Sequence, residues 1–251
     1  ISEQLLSLGA NLIIFARNEM RLQQAVESLS SFKLQETQVL DYEVLDAANH
    51  EHVDTVMNDI VNRYGVPYGL INCAGRAIPD YVENIGIEQF EETLRINLFS
   101  CRNTIHSLLP HMKKQGGFIV NTASIAGLIG VFGFTDYSAS KFALIGYSEA
   151  LRSELKQHNI QVSVLCPPDT DTPGFHNENK TKPAETHAVS EGASLLTAEK
   201  VAKIFIKELA KNKFLIIPGK SAKFSVLMKR WFPSLVEWVM DRDVLRAHSS
   251  K

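Results

Sequence analysis

Short apolar runs, most of them rich in β-branched residues, alternate along the chain with longer segments of helical spacing, and this alternation limits the possible folds more than any other feature. The runs that predict strands are 11–16, 38–44, 69–72, 118–122, 161–165 and 214–217. The segments that predict helices are 19–29, 50–64, 88–113, 138–157 and 198–211. Parallel strands need crossover helices, and apolar strands must be covered on both faces. The pattern therefore predicts an α/β fold with a doubly wound parallel sheet of Rossmann type, with residues 1–251 forming a single domain.

The amino-acid composition limits the binding partners and the cellular location that we expect for this protein. A formal net charge of −2, with charges of both signs scattered along the chain, gives no reason to expect nucleic acid. No apolar run is long enough to span a bilayer and no leader sequence is visible, so the cytoplasm is the expected location. Cys73, Cys101 and Cys166 form no Cys-x-x-Cys pair and are expected to be buried free thiols. No metal site is expected.

Polar residues cluster where the predicted strands end. Ligands of open α/β sheets bind outside the carboxyl ends of the strands. This rule places five groups of residues on one rim of the sheet, namely Arg17, Asp46, 72–75, Ser124 and 167–172.

Four of the chain's polar residues form a candidate catalytic set. Tyr137 and Lys141 are four residues apart at the start of a predicted helix, so their side chains share one face. A phenol with a pKa of about 10 is a poor acid at neutral pH, and a nearby ammonium would lower that pKa. Ser124 follows a strand and could hydrogen-bond a carbonyl oxygen, while Asn97 lies among apolar residues of a helix, where it could anchor a proton-relay water.

Taken singly, each of these residues has a purely structural explanation, such as a solvated helix face. Their combination, together with Asn72-Cys-Ala-Gly75, resembles the short-chain dehydrogenase/reductase family over nearly the whole chain. That resemblance implies that Ser124 polarises a substrate carbonyl and that Tyr137 donates a proton. It also implies that Lys141 lowers the tyrosine pKa and binds nicotinamide ribose, and that Asn97 supports the proton relay.

The family resemblance also implies a nicotinamide cofactor. Arg17 follows the strand that ends beside the adenine ribose, where an arginine favours NADPH over NAD, although Glu19 is close and a surface arginine is the plain alternative. Asp46 resembles the family's adenine-contacting aspartate, with a surface acid as the alternative. The residues expected to bind NADPH are Arg17, Asp46, Asn72, Ala74, Gly75, Tyr137, Lys141, Pro167, Thr170 and Thr172.

The sequence departs from the family at its start. Residues 1–8 have the pattern of the latter part of a helix, and neither a first strand nor the family's glycine-rich turn, which binds pyrophosphate, precedes them. Our hypothesis is that the sequence is a fragment lacking roughly 20 or more residues, because a cut through an α/β core would expose apolar strand faces. If the protein does begin at Ile1, a cofactor-free, non-catalytic binding module is the leading alternative.

The segment 166–175, with 178–186 after it, indicates the substrate class. It resembles the corresponding segment of the 3-ketodihydrosphingosine reductases, down to Pro167-Pro168 where most of the family has Pro-Gly. This resemblance implies reduction of 3-ketosphinganine to sphinganine, with a steroid or another lipid ketone as alternatives. Residues 169–196 are predicted to form an irregular substrate lid, or else a structural turn fixed by its prolines.

Large apolar and aromatic residues with flanking cations predict an apolar C-terminal helix over 221–240, interrupted by Pro233. Such a segment suits contact with a membrane surface, in a eukaryote the cytosolic face of the endoplasmic reticulum. A subunit contact, an acyl-chain pocket and plain core packing remain open alternatives. A homo-oligomer is the expected assembly.

Overall fold

Parallel strands and helices alternate through the fold, which is described by a computed structural model for residues 1–190 and 195–249. The strands are β1 Leu12–Ala16, β2 Leu40–Val44, β3 Gly69–Asn72, β4 Gly117–Thr122, β5 Ile160–Leu165, β6 Thr170–Asp171, β7 Leu196–Thr197 and β8 Leu215–Ile216. The helices are α1 Ser2–Ser7, α2 Glu19–Ser30, α3 His50–Tyr64, α4 Ile87–Leu94, α5 Ser100–Met112, α6 Thr135–Leu155, α7 Pro173–Glu178, α8 Ala184–Ser190, α9 Ala198–Leu209, α10 Lys220–Trp231 and α11 Pro233–Ser249. The predicted α/β class and parallel strand direction are confirmed.

The strands form three hydrogen-bonded groups, all of them parallel. The largest has the order β3-β4-β5-β8, with Ile119 of β4 opposite Val162 of β5. Strands β1 and β2 pair with each other, Leu12 opposite Leu40, and β6 and β7 form a small pair beside the main sheet. Among the described residues, no strand is hydrogen-bonded to both β1 and β3, so the parallel order is interrupted between them.

Helices cover both faces of the main sheet. Adjacent residues of a strand point to opposite faces, and in β4 both Ile119 and Val120 are 0% exposed. Ile119 belongs to the core formed with α3, α5 and the end of α6, whereas Val120 packs in a second cluster that contains Phe205 of α9. The expectation of a sheet covered on both faces is confirmed.

Polar caps explain why several helices begin where the sequence predicts them. Asn18 and Asn49 each accept a hydrogen bond from the main-chain N–H three residues ahead, which satisfies a donor that the first turn of α2 or α3 would leave free. Thr197 caps α9 in the same way. Helix α3 consequently has the predicted bounds.

The long helix predicted over 88–113 is interrupted. Helix α4 gives way to a π-helical turn, Arg95–Phe99, before α5 begins. A π turn inserts one extra residue per turn and occurs often at functional sites. The turn contains Asn97, whose side chain it directs into the protein interior.

Two other segments, 221–240 and 169–196, also differ from the secondary structure predicted for them. The helix predicted over 221–240, with an interruption at Pro233, is two helices in the structure: Phe232, at φ −135° and ψ 60°, separates α10 from α11, because a residue before proline disfavours the helical conformation. The irregular lid predicted over 169–196 contains β6, α7 and α8, while its residues 191–194 lie outside the described residues. Within the described ranges, no helix is long and apolar enough to cross a membrane.

Candidate active site

A cavity of about 930 Å³ lies at the carboxyl ends of β3, β4 and β5. The loops that follow these strands contribute Gly75, Ser124 and Pro167 to its lining, and α6 contributes Tyr137 and Lys141. The structure therefore brings the predicted serine, tyrosine and lysine into one cleft, at the edge of the sheet where the sequence placed them.

Tyr137 and Lys141 lie one turn apart on α6 and point into the same space. The Lys141 Nζ atom is 5.5 Å from the centroid of the Tyr137 ring, and it donates a hydrogen bond of 2.9 Å to the main-chain oxygen of Thr122. Lys141 is only 3% exposed, and this burial lowers its pKa. The ammonium is thus held between the end of β4 and the phenol ring.

The pKa of Tyr137 is raised above its ordinary value, and this direction is set by burial, so the predicted effect of Lys141 on it stays a prediction. Burial is the main cause, because it removes the phenolate from water, and the hydrogen bond with Ser124 opposes it only in part. The negative charges of Glu178 and Asp169 raise the pKa further. Tyr137 is therefore a neutral phenol at neutral pH and holds a proton that it can donate to a strongly basic oxygen.

Ser124 is positioned by the tight turn that follows β4. Its Oγ accepts a hydrogen bond of 3.1 Å from the main-chain N–H of Ala126, which caps the short 3₁₀ turn Ile125–Gly127. A Cβ on Gly127 would lie 2.8 Å from main-chain atoms of Lys141, so glycine is needed where this turn meets α6. The close approach fixes Ser124 beside Tyr137.

Asn97 is buried and acts as a clamp, by which we mean that its side chain hydrogen-bonds to two separate segments and holds them together. Its Oδ1 accepts a hydrogen bond of 2.8 Å from the main-chain N–H of Arg76, and its Nδ2 donates at 2.9 Å to the main-chain oxygen of Arg76 and to Ser140 Oγ. Both N–H groups of the amide are used, so Asn97 could hold the predicted relay water only through an oxygen atom, and that role stays a prediction. These hydrogen bonds join the loop after β3 to α6.

Asn72 is directed into the protein, in contrast to its predicted place in the cofactor site. Its Nδ2 donates to Asn121 Oδ1 at 2.9 Å, and its Oδ1 accepts from Thr104 Oγ1 at 2.8 Å. Asn121 in turn donates to Ser148 Oγ at 2.9 Å. This buried network ties β3 and β4 to α5 and α6, so only the main chain of Asn72 remains free to contact a ligand.

The other loop residues after β3 do face outward. Ala74 and Gly75 are exposed, and Gly75 lines the cavity. A Cβ on Gly75 would lie 3.3 Å from both Asn97 Oδ1 and Lys141 Nζ. Only a residue without a side chain keeps this space open above the Lys141 ammonium.

The predicted adenine-end residues lie after β1 and β2 and do not line the cavity. Arg17 is exposed at the carboxyl end of β1. Asp46 accepts a hydrogen bond of 3.0 Å from the main-chain N–H of Ala48 and lies 3.8 Å from the Arg95 guanidinium. The exposed Arg17 side chain can therefore contact an anion, whereas the Asp46 carboxylate already stabilises the turn after β2 by its hydrogen bond to Ala48.

Three predicted residues of the segment after β5 line the cavity. Pro167, Thr170 and Thr172 all contribute to its wall. The Thr170 hydroxyl donates to the main-chain oxygen of Pro168 at 2.8 Å, and Thr172 caps α7 by accepting from the N–H of Phe175 at 3.2 Å. These hydrogen bonds stabilise the conformation of the segment after β5. A bound ligand would form its hydrogen bonds to the same two hydroxyl groups.

Arg76 is a cavity residue that the sequence analysis missed. It lines the cavity next to Gly75, and its Nε atom is buried without a hydrogen-bond partner among the residues that the structure describes. A buried N–H of a guanidinium without an acceptor fits an anionic group such as a phosphate. Together with the open space above Gly75, this atom shows that the residues present fit a phosphate-bearing nicotinamide cofactor. Its position directly after the Asn72–Gly75 motif was the available signal.

The C-terminal helices supply an apolar wall of the same cavity. This wall consists of Phe224, Met228, Leu235, Val236, Val239 and Met240. Glu178, at the end of α7, also lines the cavity and was not predicted. The pattern of apolar residues predicted an apolar helix over 221–240. The pattern alone does not show which part of the protein the apolar face contacts.

The three cysteines differ in their surroundings, so the expectation that all are buried is wrong for one of them. Cys101 and Cys166 are buried, and burial raises their pKa values to about 11 and about 12. Cys73 is exposed and lines the cavity, because it lies in the loop after β3 and not within the strand.

Alkylation should therefore distinguish these thiols. The reactive species is the thiolate, which forms only as the pH approaches the thiol pKa, so raised values leave Cys101 and Cys166 almost fully protonated at about pH 8. We expect iodoacetamide at that pH to modify Cys73 alone in the folded protein, as measured by peptide mass spectrometry, and all three residues after denaturation. Modification of Cys101 as fast as Cys73 would contradict the buried position.

Comparison with known proteins identifies the family. Residues 1–183 match the family model described as short chain dehydrogenase, and the chain belongs to this family. The chain is 38% identical over 208 residues to the 3-dehydrosphinganine reductase of Danio rerio and 37% identical over 208 residues to the 3-ketodihydrosphingosine reductase of Bos taurus. Both alignments cover 82% of this chain and 63% of the relative, so the chain spans less than two thirds of these relatives.

Solved structures share the fold at lower identity. A short chain dehydrogenase/reductase from Burkholderia phymatum in complex with NAD has a TM-score of 0.79 at 22% identity, covering 93% of this chain and 89% of that one. An alcohol dehydrogenase from Thermococcus sibiricus complexed with 5-hydroxy-NADP has a TM-score of 0.72 at 20% identity, covering 86% of this chain and 88% of that one. The predicted family resemblance is confirmed.

Proposed function

We propose that this protein uses NADPH to reduce the ketone of a long-chain lipid, and that its substrate is 3-ketosphinganine, which becomes sphinganine. The observation that carries the proposal is a single cavity with Ser124, Tyr137 and Lys141 at one side and the apolar wall of α10 and α11 at another. The names of the relatives at 37–42% identity support the particular ketone.

The proposed mechanism assigns one task to each side chain. NADPH, when bound, supplies the hydride. Ser124 donates a hydrogen bond to the carbonyl oxygen, and Tyr137 transfers its proton to that oxygen as negative charge develops there. The raised pKa of Tyr137 keeps the proton in place until the substrate oxygen becomes more basic than a phenolate. Lys141, fixed by the Thr122 carbonyl, binds the nicotinamide ribose and stabilises the phenolate that remains.

One arginine supports NADPH as the cofactor in preference to NADH, and a second supports a phosphate group that both cofactors carry. Arg17 is exposed after β1, where a guanidinium can bind the additional phosphate of NADPH in a bidentate manner. Arg76 has a buried Nε without a partner and lines the cavity. We assign Arg17 to the adenine end of the cofactor and Arg76 to a phosphate nearer the reacting groups.

The inner faces of α10 and α11 support a long aliphatic chain in the substrate. Met228, Val239 and Met240 are partly buried residues of the cavity wall, and the wall they form is continuous with the catalytic side chains. Apolar burial favours an alkyl chain by about 0.8 kcal/mol for each CH₂ group removed from water. Of the alternatives left open by the sequence, an acyl-chain pocket is therefore our assignment for this inner face.

The outer face of the same helices is proposed to contact a membrane surface on the cytoplasmic side. Trp231, Phe232 and Trp238 are 68%, 58% and 59% exposed, and basic Lys229 and Arg230 lie beside them. Exposed aromatics with neighbouring cations suit an anionic lipid surface. Co-sedimentation with anionic vesicles tests this contact; a homo-oligomer that buries the three aromatics and does not sediment with vesicles would replace it.

The function is tested by following NADPH oxidation with 3-ketosphinganine, with short-chain ketones and with a steroid ketone. We expect 3-ketosphinganine to give the highest kcat/KM and NADH to be a poorer donor than NADPH. If kcat/KM is equal for long and short ketones, the proposal that the substrate is a long-chain lipid is wrong. If kcat/KM is highest for the steroid ketone, a steroid takes the place of 3-ketosphinganine as the proposed substrate.

A bulky residue in the apolar wall should shorten the preferred chain. Val239→Trp places an indole where the alkyl chain is proposed to lie, so kcat/KM for the long-chain ketone should fall at least about tenfold while a short analogue of the same ketone keeps its rate. Leu245→Trp is the matched control, because Leu245 is on the same helix but is 66% exposed and does not line this cavity. Equal loss on both chain lengths in Val239→Trp would contradict the proposed chain path.

A further inference from the structure

The catalytic cavity contains carboxylates that the proposed proton transfer does not use. Asp169, Glu178 and Asp243 all line it. Asp243 is paired with Arg242 at 2.9 Å. The side chains of Asp169 and Glu178, by contrast, make no hydrogen bond or ion pair with any residue in the described ranges. Two acidic side chains that no described residue neutralises by direct contact therefore face a largely apolar cavity.

The surroundings of Glu178 are suited to an ammonium group. The charge of Lys182 acts on Glu178, and its Nζ atom lies over the rings of Phe175 and Phe134, at 4.5 Å and 5.9 Å from their centroids. Both rings line the same cavity as Glu178, and Phe134 packs against Tyr137 with 5.5 Å between their centroids. The position of Lys182 is an observation independent of the carboxylates: the aromatic faces in this part of the cavity already hold an ammonium by cation–π contact.

Glu178 and Asp169 line the same cavity as the reacting groups Ser124, Tyr137 and Lys141. The charge of each carboxylate raises the pKa of Tyr137, and that of Glu178 interacts with Lys141. Burial raises the pKa of Glu178 itself, and the neighbouring charge of Asp169 raises it further, while Lys182 and Lys141 lower it. An ammonium bound in this cavity beside the two carboxylates would offset the repulsion between their charges.

We propose that Glu178, assisted by Asp169, binds the ammonium group on the carbon next to the substrate's ketone, and so selects α-amino ketones over plain ketones. The inference rests on the proposed function, since 3-ketosphinganine carries an amine at that carbon. With its carbonyl oxygen at Ser124 and Tyr137, the substrate has its amine on the carbon bonded to the reacting carbon and its alkyl chain on the other side, toward α10 and α11. Glu178 is thus a specificity residue, and the proton transfer does not pass through it.

The test compares two ketones with one substitution. Glu178→Gln keeps the size and polarity of the side chain and removes only its charge. The substrates are 3-ketosphinganine and its desamino analogue, which keeps the ketone, the hydroxyl and the chain. We expect kcat/KM for 3-ketosphinganine to fall by a factor of about 10 to 100, the usual effect of losing a hydrogen bond between charged groups, with little change for the desamino analogue.

A matched control uses another carboxylate of the same segment. Asp171→Asn alters a residue that is paired with His176 at 2.8 Å and does not line the cavity, so both substrates should keep their rates. Equal loss on both ketones in Glu178→Gln, or no loss on either, would overturn the proposal while leaving the reductase function intact. A wild-type enzyme that reduces neither ketone would instead refute the proposed function, and the ammonium site with it.

Discussion

Replacing Tyr137 with phenylalanine should lower turnover by a factor of about 100 or more while NADPH still binds. The substitution keeps the ring that packs against Phe134, at 5.5 Å between centroids, and removes only the hydroxyl. Without the phenolic proton, the oxygen of the reduced ketone must be protonated by water, which is a poorly positioned and weak acid. The measurement is NADPH oxidation under saturating substrate, with cofactor affinity determined separately by fluorescence titration.

Tyr147→Phe is the control for this substitution. Tyr147 lies on the same helix but packs against the core and does not line the cavity, so removing its hydroxyl should leave turnover close to the wild-type value. Turnover in Tyr137→Phe that stays within a few-fold of wild type would exclude Tyr137 as the proton donor. The raised pKa of Tyr137 is consistent with this role, because reduction needs the protonated form, which dominates at every pH below the pKa.

Asn97→Leu should cause a large loss of stability, which we expect to be about 3 kcal/mol or more in the free energy of unfolding. Leucine has the same branched arrangement of side-chain heavy atoms as asparagine but makes no hydrogen bond, so the part-buried N–H and C=O of Arg76 and the hydroxyl of Ser140 all lose a partner. Denaturant unfolding followed by circular dichroism measures the change. Catalysis should fall as well, because the loop that carries Gly75 and Arg76 is no longer fixed beside Lys141.

Asn103→Leu is the matched control for Asn97→Leu. Asn103 is also buried, but its Nδ2 makes one hydrogen bond of 3.1 Å to the rest of the fold, to the main-chain oxygen of Ala47. Its replacement should cost about 1 kcal/mol. If Asn97→Leu costs no more than Asn103→Leu, the view of Asn97 as a clamp between two segments is wrong.

The site was predictable from the sequence to the extent that its members are close along the chain or fixed by the ends of strands. Ser124, Tyr137 and Lys141 occupy one cavity as expected, and the carboxyl-end rule also placed Gly75 and Pro167 there. The catalytic and cofactor roles of these residues stay predictions that the substitutions above test. The rule that ligands bind at the carboxyl ends of strands does not predict the direction of each side chain, because that direction depends on the residues that pack against the strand.

By itself, the sequence determined the features that depend on neighbours along the chain. Helix α3 and strand β3 have the predicted bounds, since hydrophobic periodicity and a capping asparagine act within a few residues. Tyr137 and Lys141 share a helix face because four-residue spacing alone sets that geometry. The alternation of strands and helices likewise determined the α/β class and the parallel direction.

Only the tertiary structure decided the features that depend on contacts between distant segments. Asn72 turns inward because Asn121 and Thr104, 49 and 32 residues away, offer its amide partners. The pKa of Tyr137 rises because residues from distant parts of the chain remove its hydroxyl from water, and this desolvation outweighs the opposing hydrogen bond with Ser124. The face of α10 and α11 that meets the cavity was set in the same way, since an apolar stripe has no preferred partner until the chain has folded.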